Sequence, residues 1–373
     1  MVGLRTLKGY LLEEVLAWLL RSSGYRLLTE ADDTARPPWK VLEKRKHGLV
    51  VRGRGAWHQA DALGEFPYVP PFSLPIRLFA EAKFTSPPVG LSVVRNGHGV
   101  VHDLNAGDVT TLSNGAGPRR PRTRYHYSYA IFSTSGFTRD AQEFALAHQI
   151  SLIDLSLPDF NPLCKLVKDA AEAVYDVTKS MPPSQRPAVY RIRNYVRRHL
   201  LDMDEDPVPS SGAVTRPLDT LVADVQRLPL GLVLAFPAAP FVLGLVSDDL
   251  EHFFRCARAH PTHAVRVRRS RRSAGHPLWF LEPREGPAYT LSFSLPEYVE
   301  DWILDQEEGI GSRTRRTARD LLSAITVYWV EGGHTHTFRL HYDPDEFREV
   351  SGRPRTPSSD LDGRVGRTGA VGR

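Results

Sequence analysis

The sequence predicts an α/β chain in two parts: a mixed sheet flanked by helices over residues 1–160, and a second α+β domain over residues 218–349. Three observations carry this reading. An amphipathic helical period opens the chain, with Leu12, Leu16, Leu19 and Leu20 on one face, and short strand-like runs follow it. Between residues 127 and 155 strand and helix patterns alternate, which calls for parallel crossovers and hence a mixed sheet. Asp202–Pro217 is acidic and then Ser/Pro-rich, the composition of a linker. The length of 373 residues suits two domains, and 41% hydrophobic with 24% charged residues excludes wholesale disorder and a fibrous fold.

Taken in order, Gly9–Arg21 reads as a helix and Tyr25–Thr29 as a short strand after the Gly24 stop. Leu49–Arg52, Trp57–Glu65 and Ile76–Lys83 read as consecutive strands. Gly53-Arg54-Gly55 and Pro67–Pro75 form the turns between them. Gly107–Arg124 is polar, glycine-rich and basic, the pattern of a mobile loop. Tyr127–Ser133 is a strand, Thr138–His148 a helix that Thr138 can cap, and Ile150–Leu155 a strand. Asn161–Val177 and Ala188–Leu200 form a helical connector over 161–201, with 202–217 as linker. The second part alternates strands (Phe241–Val246, Ala264–Val267, Trp279–Leu281, Ala288–Phe293) with helices (Asp249–Ala259, Glu297–Asp305, Thr317–Ala324). It ends in a hairpin, Ile325–Val330 and His334–Tyr342, around Glu331-Gly332-Gly333. The tail, 350–373, lacks apolar periodicity and reads as disordered.

The net charge is +5, mildly basic, which permits a nucleic-acid partner without requiring one. Lysine supplies only 8 of the 48 basic residues and arginine the other 40, so each lysine merits inspection. Cys164 and Cys256 form no zinc or redox spacing, which fits a reducing cytoplasm, and no secretory leader is visible. The uncharged stretch Leu228–Ser247 is long enough to span a bilayer. Pro229, Pro237 and Pro240 interrupt it, so it reads as two apolar strands, Leu230–Phe236 and Phe241–Val246, and no membrane is expected.

The chemistry-bearing segment is Gly53-Arg-Gly-Ala-Trp-His-Gln-Ala-Asp61, followed by Glu81-Ala-Lys83. Glu81 and Lys83 share one strand face, and Asp61 on a neighbouring strand can reach Glu81. Two carboxylates so placed suit a hard cation such as Mg²⁺, with Mn²⁺ as a substitute. A bound cation can activate water and neutralise a scissile phosphate, and Lys83 beside it can orient or deprotonate that water. The same residues also fit a solvated strand face. The apolar residues Ile76, Leu78, Phe79 and Ala80, the rarity of lysine and the acidic Glu13 on the first helix favour the chemical reading.

The order of elements carries a resemblance. Gly9-x-x-Leu12-Glu13, Gly24-Tyr25, Asp61, Glu81-Ala-Lys83, Phe132-Ser-Thr-Ser-Gly-Phe137-Thr-x-x-Ala141 and Ile150-Ser-Leu-Ile-Asp154-Leu155 together resemble the Mrr-like branch of the PD-(D/E)XK restriction endonuclease superfamily, over residues 5–160. The resemblance implies a restriction-endonuclease-like mixed sheet. It also implies catalysis by Asp61, Glu81 and Lys83, and a metal bound by Asp61 and Glu81 with a contribution from Glu13. The implied activity is metal-dependent hydrolysis of double-stranded DNA in bacterial restriction or defence. A nuclease-fold protein that binds DNA or a partner without cutting, and an RNA or repair nuclease, are the alternatives. A homodimer and a separate partner protein both remain open. The Pro67–Pro75 and Gly107–Arg124 insertions and the Gly53–Gln59 lead-in depart from the general pattern.

Candidate nucleic-acid contacts are Arg54, His58 and Gln59 in that lead-in, with a metal contact or simple packing as other roles for His58 and Gln59. Arg266, Arg268, Arg269, Arg271 and Arg272 are candidates in the alternating apolar–basic run Val265–Arg272, where a solvated edge strand is the other reading. Arg313, Arg315, Arg316 and Arg319 form a similar cluster. Asn96, His102 and Asp103 can face the site or serve as caps. His334 and His336 lack a third zinc ligand and read as structural. No Walker loop, GxGxxG, HExxH or GxSxG occurs.

Overall fold

A computed structural model describes residues 3–350, apart from 36–39, 46–47, 68, 70, 107–123, 204, 229–231, 238–240, 248, 271–277, 287–288, 297–298, 301–322, 332–333 and 343–347. Helix α1 (Leu4–Ser22) leads into β1 (Arg26–Leu27), β2 (Leu42–Arg45), β3 (Gly48–Arg52), β4 (Trp57–Ala60), β5 (Ala62–Glu65) and β6 (Ile76–Lys83). Helix α2 (Leu91–Asn105), β7 (His126–Ser133), α3 (Arg139–Ala147) and β8 (Ser151–Asp154) complete this part. Its main sheet has the order β1-β5-β6-β7-β8, antiparallel from β1 to β6 and parallel from β6 to β8. The expected mixed sheet flanked by helices is therefore present.

The burial pattern explains the sequence signal. Leu78 and Ala80 of β6 pack with α1, while Phe79 packs toward α2 and α3. A strand buried on both faces reads as a mainly apolar run, here broken by the buried Arg77 that pairs with Glu65, which is why β6 is legible. The expected strand Trp57–Glu65 is in fact two. Trp57–Ala60 pairs with β3 in a separate three-stranded sheet, and Ala62–Glu65 pairs with β6 and β1. Asp61 is the junction, and its N–H donates to Ala80 O at 3.2 Å. The Tyr25–Thr29 strand shrinks to two residues. Thr138 occupies the N-cap position of α3 without a side-chain cap hydrogen bond.

Helices α4 (Asn161–Ser180), α5 (Val189–Leu201) and α6 (Gly212–Arg227) pack against α1 in one apolar core. Residues 212–217, expected in the linker, form the start of α6: Val214 and Leu218 are buried, and that apolar spacing outweighs the Ser/Pro composition before it. Helix α7 (Leu250–Ala259) lies within the second part, among β9 (Leu232–Phe236), β10 (Leu243–Val246), β11 (Thr262–Ser270), β12 (Leu278–Pro283), β13 (Leu291–Phe293), β14 (Ala324–Glu331) and β15 (His334–Tyr342); β16 (Arg348–Val350) pairs beside β11. The order β12-β13-β10-β9-β14-β15-β11, with β11 pairing back to β12, closes a seven-stranded barrel. The second part, expected as an α+β domain, is thus built around a closed barrel, and closure removes exposed edges.

Val265, Val267, Trp279, Leu281, Phe338 and Leu340 fill the barrel core together with Phe253 and Phe254 of α7. The two apolar segments of Leu228–Ser247 are β9 and β10, paired antiparallel. Leu232 and Leu234 face the helical layer while Val233 and Ala235 face the barrel core, so this strand is apolar on both sides. Among the described residues no helix is long and apolar enough to cross a membrane. The hairpin β14–β15 matches expectation, although Ala324, expected in a helix, begins β14. Residues 107–123, 301–322 and 351–373, and with them the second arginine cluster and the tail, lie outside the described residues.

Candidate active site

Asp61, Glu81 and Lys83 line one cleft of about 580 Å³. Its first wall is β4, with Trp57, His58 and Gln59. Its second is β6, with Phe79, Glu81 and Lys83, and α2 covers it with Arg95, Asn96, Gly99 and Val100. The strand break at Asp61 sets the geometry. By leaving one sheet for another there, the chain frees the Asp61 carboxylate to turn to the neighbouring strand, where Oδ2 accepts from Ala82 N at 2.8 Å.

Glu81 Oε1 pairs with Lys83 Nζ, and Glu81 Oε2 accepts the Tyr129 hydroxyl. Tyr129 stacks on Phe79 with ring centroids 5.2 Å apart. A Cβ at Gly97 would come within 2.6 Å of Tyr129 Cε1, so the glycine inside α2 makes room for the ring that holds Glu81. Sequence reasoning missed Tyr129. Its signal was the mid-helix glycine, whose usual cost of about 1 kcal/mol asks for a packing reason.

The carboxylates are electrostatically crowded. Burial first, and then the charge of Glu81, raise the Asp61 pKa against the Ala82 hydrogen bond and the charges of Lys83 and Arg193. Burial, followed by the Asp61 charge, pushes Glu13 up to about 8, with Arg193 and Arg197 pulling the other way. Glu13 does not line the cleft. It sits on α1 with Oε2 2.7 Å from Arg193 Nη2, so the structure brings it within electrostatic reach of Asp61 and gives it an arginine partner. The adjacent Glu14 is buried and lies below its ordinary range: burial opposes this, but Arg197 and Arg193 outweigh it.

The donor set fits a hard cation held by Asp61 and Glu81. Two carboxylates from different strands line one cleft, the charge of Glu81 raising the cost of ionising Asp61, and Mg²⁺ completes its shell with water rather than requiring an all-protein cage. Among the described residues no group of three or more His, Cys, Asp or Glu side chains forms a ready-made cage.

The lead-in is organised by Asp103. Its Oδ1 accepts from Gly55 N at 2.7 Å, its Oδ2 accepts from Ala56 N at 3.1 Å, and Oδ2 lies 2.7 Å from His58 Nε2. A Cβ at Gly53 would sit 2.1 Å from Asp103 Oδ2, which explains the glycine there. Asp103 is thus not a helix cap; it ties α2 to the β3–β4 turn. Trp57 is flanked by Arg45 and Arg52 at 4.8 and 5.4 Å from its ring centroid. Arg54 is exposed on the turn, and Gln59 is exposed on the cleft wall. Asn96 lines the cleft as well, whereas His102 does not.

The arginine run on β11 is far less uniform than its sequence. Arg266 is exposed. Arg268 is half-buried and paired with Glu282. Arg269 is 5% exposed, shares the inward face with Val265 and Val267, and lies 3.4 Å from Glu300 and over the Trp279 ring. Arg269 is therefore corrected from a phosphate contact to a buried structural charge, because barrel closure turns its side of the strand inward. Arg271 and Arg272 lie outside the described residues. His334 is exposed, and His336 stacks on Phe338 as a structural side chain.

No family model and no curated protein matches this chain. Among solved structures, the crystal structure of a protein of unknown function, AF1548, is similar at 15% identity and a TM-score of 0.30, over 59% of this chain and 97% of that one.

Proposed function

We propose that the chain is a metal-dependent endonuclease that hydrolyses phosphodiester bonds of double-stranded DNA, with the five-stranded mixed sheet as a restriction-endonuclease-like core. The convergence of Asp61, Glu81 and Lys83 in one cleft supports this reading most directly. Asp61 lies 20 residues before Glu81 and 22 before Lys83, and the strand break at Asp61 together with β5–β6 pairing joins them. A bacterial restriction or defence setting in the cytoplasm follows from the resemblance to Mrr-like nucleases and from two unpaired cysteines.

Asp61 and Glu81 would hold Mg²⁺ or Mn²⁺; the chemistry such an ion supplies when bound is a lowered pKa for its water and neutralised charge on the phosphate. Tyr129 fixes the Glu81 carboxylate. Lys83 contributes a cationic, proton-bearing group beside Glu81, suited to orient the attacking water and stabilise the charge that builds on phosphorus oxygens. Arg95 and Lys83 supply positive charge on a cleft otherwise rich in carboxylate. The barrel is assigned to recognition or assembly.

Incubation with plasmid and with RNA, each in Mg²⁺ and in EDTA, tests the reading. Mg²⁺-dependent nicking of DNA that is abolished in Asp61→Ala and in Glu81→Ala, with folding and DNA affinity retained, is the expected result. Cutting at the wild-type rate by either variant removes the site.

A further inference from the structure

The cleft holds a second constellation that the metal-site chemistry does not use, and its interpretation rests on the nuclease reading above. His58 enters from β4, in the three-stranded sheet, whereas Glu81 and Lys83 enter from β6 in the other sheet. Asp61 stands at the junction between the two. His58 is therefore placed on a different wall from the lysine that serves the attacking water. An in-line displacement at phosphorus can use proton-handling groups on two sides, one for the nucleophile and one for the leaving oxygen.

Asp103 determines which nitrogen of His58 is available. Burial opposes its ionisation, yet the hydrogen bonds from His58, Gly55 and Ala56 hold the carboxyl below its ordinary range. An ionised carboxylate has no proton to donate, so the proton shared at 2.7 Å belongs to His58 Nε2. That leaves Nδ1, which has no hydrogen-bond partner among the described residues, to meet a substrate. The scaffold around this pair is built for it. Gly53 and Gly55 leave space that a Cβ would fill, and the backbone N–H of Arg54 donates to Asp103 O at 3.1 Å. A carboxylate that orients an imidazole while leaving its second nitrogen open is the arrangement that general acid–base catalysis requires.

We infer that His58, oriented by Asp103, is the general acid that protonates the oxygen leaving from phosphorus. The attacking water forms the new P–O bond and releases its proton to solvent. The P–O bond to the leaving strand breaks with its electron pair kept on oxygen. That oxygen takes the proton from Nδ1 of the imidazolium, and neutral His58 regains a proton from solvent. Asp103 is the positioning residue and exchanges no proton.

The test compares two probes under single-turnover conditions in Mg²⁺: plasmid DNA, whose alkoxide must be protonated to leave, and bis(p-nitrophenyl) phosphate, whose p-nitrophenolate leaves unaided. His58→Ala should slow plasmid cutting about a hundredfold or more while sparing the aryl ester. Asp103→Asn should show the same selectivity to a smaller degree. Equal slowing of both probes, or of neither, overturns the acid role while leaving the nuclease reading in place. A wild-type chain that cuts neither probe overturns both.

The plasmid pH profile reads the same role independently of the ester. The charged groups facing His58 are Asp103 and, around the cleft, Asp61, Glu81, Lys83 and Arg95. A general acid gives the wild-type rate an alkaline limb, and His58→Ala should lack that limb. A limb that persists in His58→Ala assigns the acid to another of these groups and overturns the proposal.

Discussion

The barrel and the five-stranded sheet both bury charged side chains, and they treat them in opposite ways. In the barrel, Arg269 faces inward with a partner of opposite sign, Glu300, whose Oε1 also accepts from Trp279 Nε1 at 3.1 Å. Beside the sheet, burial first and then the like charge of Glu81 or Asp61 raise the pKa values of Asp61 and Glu13, although Glu13 also pairs with Arg193 and Glu81 with Lys83. The first arrangement neutralises charge inside the fold. The second places two carboxylates side by side in an open cleft, where something from outside can bridge them. Burial alone does not separate structural from functional charge; a like charge standing beside the opposite one does.

Breaking the barrel pair gives the largest expected effect on stability. Arg269→Met strands Glu300 in an apolar core, and removing one partner of such a pair costs about 3–5 kcal/mol. The urea midpoint at neutral pH checks this. Arg269→Met combined with Glu300→Gln should recover most of the loss, since no buried charge is then uncompensated. A single variant as stable as wild type would show that the pair contributes nothing and would collapse the contrast between the two regions.

Arg269 also shows where the sequence stops being legible. Val265–Arg272 reads as apolar positions alternating with basic ones, but Arg269 has the parity of Val265 and Val267, so the strand's period places it with the interior. Whether that interior exists depends on β11 pairing with β15 as well as with its chain neighbour β12, and β15 is distant in sequence. The same limit applies to Asp61. Its type and its spacing to Glu81 are visible, whereas the change of sheet that exposes its carboxylate is a tertiary event inside what reads as one strand, Trp57–Glu65. Segments buried on both faces or closed by local turns, such as β6 and the β14–β15 hairpin, are legible because their signal is local. Tyr129 is not, since its role appears only when the glycine of α2 is stacked above β7.

Lys83 sharpens the comparison from the other side. Lys83→Ala should reduce single-turnover cleavage by about a hundred- to a thousandfold, the equivalent of roughly 2.7–4 kcal/mol of transition-state stabilisation. Its folding stability and DNA affinity should stay near wild type. Lys83→Arg should not rescue the rate, because a guanidinium cannot give up its proton and is too broad for a point-charge site. Near-wild-type rates in both variants would make Lys83 a solvated strand-end charge and weaken the nuclease reading as a whole.

Glu13 yields a pH dependence whose sign is fixed by its shift. Its carboxyl binds a proton more tightly in the folded chain, at about 8, than at its ordinary 4.5. Stability from this group is therefore complete below pH 4.5 and declines as pH rises toward 8, by up to about 1.4 kcal/mol per pH unit. Melting temperatures between pH 5 and 8 in EDTA should fall more steeply in wild type than in Glu13→Gln. Added Mg²⁺ should restore stability at the alkaline end in wild type and not in Asp61→Ala. Parallel pH slopes in wild type and Glu13→Gln would show that the like-charge crowding is relieved elsewhere.

The smallest effect separates two helix starts, one in each region. Asp249, at the N-cap of α7 beside the barrel, accepts from His252 N at 2.8 Å and satisfies one of the helix's orphan donors. Thr138 holds the same position on α3 beside the five-stranded sheet, but its side chain makes no such bond. Replacing a cap that is in use typically costs about 1 kcal/mol. Asp249→Ala should lose about that much, and Thr138→Ala no more than a few tenths, because only the residue's backbone conformation is then at stake. The negative charge of Asp249 adds to the difference, since the first turn of a helix favours an anion by roughly 0.3–1 kcal/mol at low salt. Urea unfolding of the two variants, repeated at high salt, distinguishes these contributions: the charge component of Asp249 should shrink with screening while the hydrogen-bond component remains. Equal losses in the two variants would mean that Thr138 caps α3 in solution after all, and that the two regions begin their helices in the same way.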